Sequence, residues 1–147
     1  MTGKKILLVE DEIHYAKFII ESFSDYEPNF DIFHVNNGHA ALALLKGEYK
    51  PDLILSDMRM PRMGGHELAT KVRANPAFQT VPFYILSNST CGEDFGKGEV
   101  CHADLHLIKP NNYAQVLGLV ERLRAAFAPE GFDCQEDHSM IGTKSSY

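Results

Sequence analysis

The feature that most constrains this chain is an alternation. Five short strand-like runs, Lys5 to Val9, Phe30 to Val35, Leu53 to Ser56, Phe83 to Ser87 and Leu105 to Ile108, each stand ahead of a helical pattern. The first, third and fourth are almost wholly apolar, as expected of central parallel strands covered on both faces. Between the runs, apolar residues recur at helical spacing: Ile13, Ala16, Ile20 and Phe23; then Ala40, Ala41, Leu44 and Leu45 after Asn36-Asn37-Gly38. Leu68 and Val72 mark a third helix after Gly64-Gly65. Val116, Leu119, Val120, Leu123 and Phe127 mark the last, capped by Asn111 or Asn112. The Met and aromatic stripes read as core, not as a cofactor box.

Strict β-α alternation with short connections implies an α/β fold, a parallel sheet with helices on both faces and right-handed crossovers. Five strands favour a flavodoxin-like doubly wound sheet of order 2-1-3-4-5. The weak segment runs from Thr90 to Ala103, where Gly92, Gly96 and Gly98 would each cost about 1 kcal/mol against Ala in a helix. A short, mobile fourth helix is expected there. From Pro129 the chain turns polar and loses its period. The expected organisation is therefore one domain over residues 1–128 and a polar tail over 129–147.

The formal net charge of −6 argues against a nucleic-acid-binding surface, which needs a basic stripe to neutralise phosphates. No apolar run approaches the roughly 20 residues of a membrane span, so a cytoplasmic protein is expected. Cys91, Cys101 and Cys134 lack C-x-x-C spacing and read as reduced thiols. Cys101-His102 could supply two metal ligands, but nothing nearby completes a zinc site.

Acidic residues stand where the strands end. Asp57 closes the third run, and Glu10-Asp11-Glu12 follows the first. In the expected strand order these two ends are neighbours at the switch point, where open α/β sheets bind ligands. Like charges about 4 Å apart repel by roughly 4 kcal/mol at an effective dielectric near 20, so the cluster must take up a proton or recruit a cation. Hard oxygen ligands suit Mg²⁺, and one Mg²⁺ with one lysine would cancel the charges of Glu10, Asp11 and Asp57. Lys109 ends the fifth strand ahead of Pro110, and Ser87 ends the fourth with a hydroxyl that can donate to an anion. A carboxylate nucleophile, a metal, a hydroxyl and a lysine on adjacent strand ends make a site for phosphoryl transfer through an aspartyl phosphate. Each residue alone has a plainer reading: Asp11 as a helix start, Ser87 as a strand-end hydroxyl, Lys109 as a solvated cation, Asp57 as a turn residue. Their convergence on one cleft favours a site.

Over about residues 4–127 the chain resembles the receiver domain of two-component response regulators, in its single-domain, chemotaxis-regulator-like form. The resemblance is carried by Val9-Glu10-Asp11-Glu12, by Asp57-Met58-Arg59-Met60-Pro61 with Gly64-Gly65, by Leu86-Ser87 and by Leu107-Ile108-Lys109-Pro110. Each is weak alone; four in order at successive strand ends are specific. The resemblance implies a signalling switch rather than an enzyme, in which Asp57 accepts a phosphoryl group from a histidine kinase or phosphotransfer protein. It further implies that Asp11, Asp57 and the backbone carbonyl of Arg59 bind Mg²⁺, with Glu10 assisting through water. Ser87 would hydrogen-bond the phosphoryl group and Lys109 would pair with it. A cis Lys109-Pro110 bond is also implied.

Two positions depart from the family. Switching moves the Ser87 position toward the phosphate while an aromatic ring on the fifth strand turns inward, and here that ring is His106 where Tyr or Phe is usual. A histidine can be charged near neutral pH, which would resist that turn, whereas on the plainer reading any flat ring fills the slot. Asn88 replaces a small residue after the Ser/Thr and could reach the phosphoryl group or obstruct it. Arg59 and Ser89 flank the place where the family tunes loss of the phosphoryl group, although Arg59 reads equally as a solvated side chain. Residues 129–147 hold no output domain, so output is expected in trans or as a phosphate sink. The surface expected to change is the fourth helix, the fifth strand and the last helix, which could also form a homodimer; the downstream partner stays open. A haloacid dehalogenase-type phosphatase would need Asp-x-Asp where Arg59 stands. An FMN carrier would find its phosphate repelled by Glu10-Asp11-Glu12. A degenerate scaffold conflicts with the presence of Asp57, Asp11 and Lys109.

Overall fold

The computed structural model describes residues 3–88 and 102–128. The elements are β1 (Lys4–Val9), α1 (Ile13–Tyr26), β2 (Phe30–Val35), α2 (Gly38–Lys46), β3 (Leu53–Asp57), α3 (Gly65–Arg73), a 3-10 turn (Pro76–Phe78), β4 (Phe83–Ser87), β5 (Leu105–Ile108) and α4 (Tyr113–Ala126). All strand pairs are parallel and their order is β2-β1-β3-β4-β5. The doubly wound arrangement expected from the alternation is the one observed.

The apolar runs are two-faced. Leu7, Val9, Ile54, Phe83 and Ile85 pack with Ala41 and Leu45 of α2 and with Leu68, Ala69 and Val72 of α3. Their strand neighbours Ile6, Leu8, Leu53, Leu55, Tyr84 and Leu86 pack with α1 and α4 on the other face. Successive strand side chains point to opposite faces, so a strand needs apolar residues throughout only when helices cover both. The edge strand β2 accordingly alternates between half-buried and exposed positions over most of its length.

Two readings need correction. The buried face of α1 is Ala16, Ile19, Ser22 and Phe23, whereas Ile13 is 54% exposed and Ile20 half-buried. Ile13 is the first helical residue, at the lip of the sheet, and the true stripe runs at i, i+3, i+7 from Ala16. The Lys109-Pro110 bond is trans, because the described residues contain no cis peptide bond. Of the two caps expected for α4, Asn112 is the one observed, its side chain accepting the Gln115 N–H at 2.9 Å. Most of the weak Thr90–Ala103 segment, all three cysteines, Ser89 and the tail lie outside the described residues.

One arginine closes the end of the sheet where the strands begin. Arg73, the last residue of α3, donates to the carbonyls of Phe78, Val81 and His102 and to the Asp104 carboxylate at 2.7–3.2 Å. The same Asp104 oxygen accepts the Phe83 N–H at 2.9 Å, while the Asp104 N–H donates to the Phe83 carbonyl at 2.8 Å.

Candidate functional site

At the opposite, carboxyl end of the sheet, β3 runs directly into Asp57. The chain after it is held by short hydrogen bonds: the Met58 N–H to the Leu86 carbonyl at 2.9 Å, and the Gly65 N–H to the Met58 carbonyl at 2.8 Å. A Cβ on Gly65 would stand 2.6 Å from the Asp57 carbonyl oxygen, and one on Gly64 would stand 2.8 Å from that of Met58. Both distances are shorter than van der Waals contact allows, so only glycine lets α3 start this close to the strand. Met58, Met60 and Met63 turn into the core beneath the loop, which leaves Arg59 at the surface.

Glu10 is the most confined of the acidic residues. It is 1% exposed, its N–H donates to the Val35 carbonyl at 3.0 Å, and its own carbonyl meets Nε2 of His34 at 2.9 Å. One carboxylate oxygen accepts the Glu12 N–H at 3.0 Å; the other lies 3.1 Å from Nζ of Lys109. Lys109 Nζ also lies 3.2 Å from Oδ1 of Asp57, so one ammonium bridges two buried carboxylates. Asp11 completes the group from the solvent side. One carboxylate oxygen from each of Glu10, Asp11 and Asp57 falls within 4.8 Å of the others. The helix-starting role open to Asp11 falls instead to Glu12, whose side chain accepts the Tyr15 N–H at the start of α1.

Three carboxylates against one lysine leave a surplus of negative charge, and it is visible in Asp57. Burial, and next the charge of Glu10, push its carboxyl from 3.8 up to about 6 in spite of the opposing Lys109. Burial alone would lower Lys109, but Asp57 and Glu10 outweigh it and hold the ammonium above its ordinary value. Both partners of one ion pair therefore move up, because the lysine is shared between carboxylates that repel each other. A hard oxygen-donor set with a net double negative charge is one that a small divalent cation fits.

Ser87 ends β4 beside this cluster; it is buried, and its carbonyl accepts the Lys109 N–H at 2.8 Å. Asn88, next in the chain, is exposed. His106 is farther down β5, in register with Ile85, and its ring stacks on that of His66 in the first turn of α3 at 5.1 Å. Burial, and then His66, lower its pKa below the ordinary histidine value. The structure thus gathers Glu10, Asp11, Asp57 and Lys109 in one cluster, seats Ser87 at the adjoining strand end, and leaves His106 on the α3 side of the sheet.

Three neighbours of the site escaped the sequence reading: His34, His66 and Tyr15. Tyr15 donates its hydroxyl to the Pro110 carbonyl at 2.7 Å and offers its ring to the Lys109 ammonium at 4.5 Å. Its spacing to Ile19 and Ser22 is i, i+4, i+7, a helical face that would have pointed to it had the α1 stripe been placed correctly.

Residues 6–121 match the response regulator receiver domain family. The chain belongs to that family. Receiver domains of two-component systems are signalling switches, and several similar proteins have been described. The chain is 29% identical over 124 residues to a protein named as the probable methanogenesis regulatory protein FilR2 of Methanothrix harundinacea, spanning 81% of this chain and 80% of that one. Several other curated matches are longer, and this chain spans about half of their length. Among solved structures, the chemotaxis response regulator CheY4 of Vibrio cholerae is similar with a TM-score of 0.71 and 28% identity, over 82% of this chain and 98% of that one. The receiver domain of sensor histidine kinase PA1611 from Pseudomonas aeruginosa, with a magnesium ion coordinated in its active-site cleft, has a TM-score of 0.66 and 26% identity, over 82% and 97%. No helix among the described residues is long and apolar enough to cross a membrane.

Proposed function

We propose that this receiver domain takes a phosphoryl group onto Asp57 from a histidine kinase or phosphotransfer protein. The observation that carries the reading is the bridging of buried Asp57 and Glu10 by Lys109, beside an acidic group with ligand atoms inside 4.8 Å. A carboxylate oxygen of Asp57 forms the new P–O bond while the donor's P–N bond breaks. The electron pair leaves with the donor imidazole, which regains its proton from water. Lys109 is already within reach of the reacting carboxylate and moves to the phosphoryl oxygens as their charge grows. Ser87 donates its hydroxyl to the same group.

Glu10, Asp11, Asp57 and the Arg59 carbonyl are the groups that would hold Mg²⁺, Glu10 through water, and the ion would supply positive charge to offset that of the phosphoryl group. The magnesium reported for the PA1611 receiver supports this assignment. The switch then runs from Ser87 to His106 and alters the surface of β5 and α4 for a downstream protein or a second copy. Residues 1–128 form the receiver and 129–147 its polar tail.

The test is incubation with Mg²⁺ and acetyl phosphate, read by intact mass. Wild type should gain one phosphoryl group; Asp57→Asn, or wild type with excess chelator, should not. A wild type that stays unmodified, or an Asp57→Asn that is modified equally, would refute the assignment.

A further inference from the structure

We propose that Tyr15 is a positioning residue for Lys109, its ring seating the ammonium and its hydroxyl tethering the loop behind it. The inference rests on the phosphoacceptor reading of Asp57. Lys109 carries three N–H donors on a flexible stem, and a lysine left to itself samples many rotamers. Two donors are engaged by Glu10 at 3.1 Å and Asp57 at 3.2 Å. The remaining side of the ammonium faces Tyr15, 4.5 Å from the ring centre, inside the range of a cation–π contact. The lysine is therefore enclosed by two carboxylates and an aromatic face.

The backbone is held from the same side chain. Residue 110 is a proline and offers no N–H, so its carbonyl is the only main-chain polar group there that can be tied down. The Tyr15 hydroxyl takes that carbonyl at 2.7 Å, while the Lys109 N–H is fixed to Ser87 at 2.8 Å. The two bonds pin the chain on either side of the Lys109 side chain. Phe18, one turn on, backs the Tyr15 ring at 5.8 Å. Burial first, and the charges of Glu10 and Asp57 next, hold the hydroxyl protonated well above its ordinary range, so it remains a donor at every working pH.

A ring suits this task better than a third carboxylate or a hydroxyl. When Asp57 becomes phosphorylated, the ammonium must move from a carboxylate oxygen to a phosphoryl oxygen. A π face attracts a cation over a broad area, so the contact persists during that shift, whereas a directional hydrogen bond would have to break.

The test compares Tyr15→Leu, Tyr15→Met and Tyr15→Phe with wild type, using acetyl phosphate at saturating Mg²⁺. Met is included because it refills the volume flexibly should Leu fail to fold. Leu or Met should slow phosphorylation about tenfold through loss of the ring contact, and Phe should recover all but about threefold. Mg²⁺ affinity, followed by titration without phosphodonor, should be undiminished, because Lys109 is not a metal ligand. Full-rate phosphorylation of the Leu or Met variant would overturn the inference. So would a loss of Mg²⁺ affinity in step with the rate, which would mark general damage to the site. An unmodified wild type would overturn the phosphoacceptor reading instead, and this inference with it.

Discussion

Asp57 should weaken the fold it serves. Its carboxyl is raised from 3.8 to about 6 by burial and by Glu10, so the native state binds that proton more tightly than the unfolded chain. Between about pH 4 and 6 the native protein holds the proton while the unfolded chain has released it, and stability falls as pH rises through that window. Above it the deficit is complete, at about 1.4 kcal/mol per unit, or roughly 3 kcal/mol in all. Asp57 is only 7% exposed, so solvent screens little of this. Asp57→Asn removes the charge with little change of shape, and the shift to about 6 already includes the opposing pull of Lys109. The gain at pH 7.5 should therefore be about 1–3 kcal/mol, the lower end allowing for imperfect fit of the amide. Urea denaturation in the presence of chelator measures it directly. The variant should be the more stable at pH 7.5, the gap should shrink steeply by pH 4.5, and saturating Mg²⁺ should narrow it by stabilising wild type more than the variant, which lacks one of the carboxylates. A gap that is independent of pH, or an Asp57→Asn less stable than wild type at pH 7.5, would refute the account of surplus charge.

Further perturbations bear on the supports of the site. Gly65→Ala drives a methyl group to 2.6 Å from the Asp57 carbonyl and should cost about 1–3 kcal/mol in chemical denaturation while slowing phosphorylation. Arg73→Met strips hydrogen bonds from three carbonyls and Asp104 and should destabilise by about 2–4 kcal/mol, with early amide exchange at Phe83 and Asp104. His106 has a folded pKa below its unfolded value, so it is neutral at pH 7 and its protonation opposes folding as pH falls below about 6.5. His106→Phe should remove that part of the acid sensitivity in a denaturation series from pH 7 to 5; identical pH profiles would show that His106 carries none of it.

The fold was legible because the sheet is covered on both faces: unbroken apolar runs at β1, β3 and β4 suit central strands buried between two helical layers and little else. The acidic cluster was legible for a related reason, since charged residues abutting such runs must lie at a strand end. What escaped was helix rotation. Ile13 looked like part of a stripe, but a first-turn residue can overhang the sheet, and misplacing it hid Tyr15. His34 and His66 escaped because each makes its contact through the fold, to the Glu10 carbonyl and the His106 ring, and neither neighbourhood is marked in the chain. The trans Lys109-Pro110 bond departs from what the family resemblance implied, and no residue near it announces the difference.

Because every strand runs the same way, the molecule has two chemically unlike poles. Among the described residues, the candidate phosphoryl chemistry sits where strands end, whereas the end where they begin is held by closures such as Arg73 with Asp104 and the Lys5 N–H on the Asp52 carboxylate. The exposed turn at Gly47-Glu48, between α2 and β3, belongs to that quiet pole. A fluorescent protein or affinity handle grafted there would ride on the receiver while leaving the acidic pole uncovered.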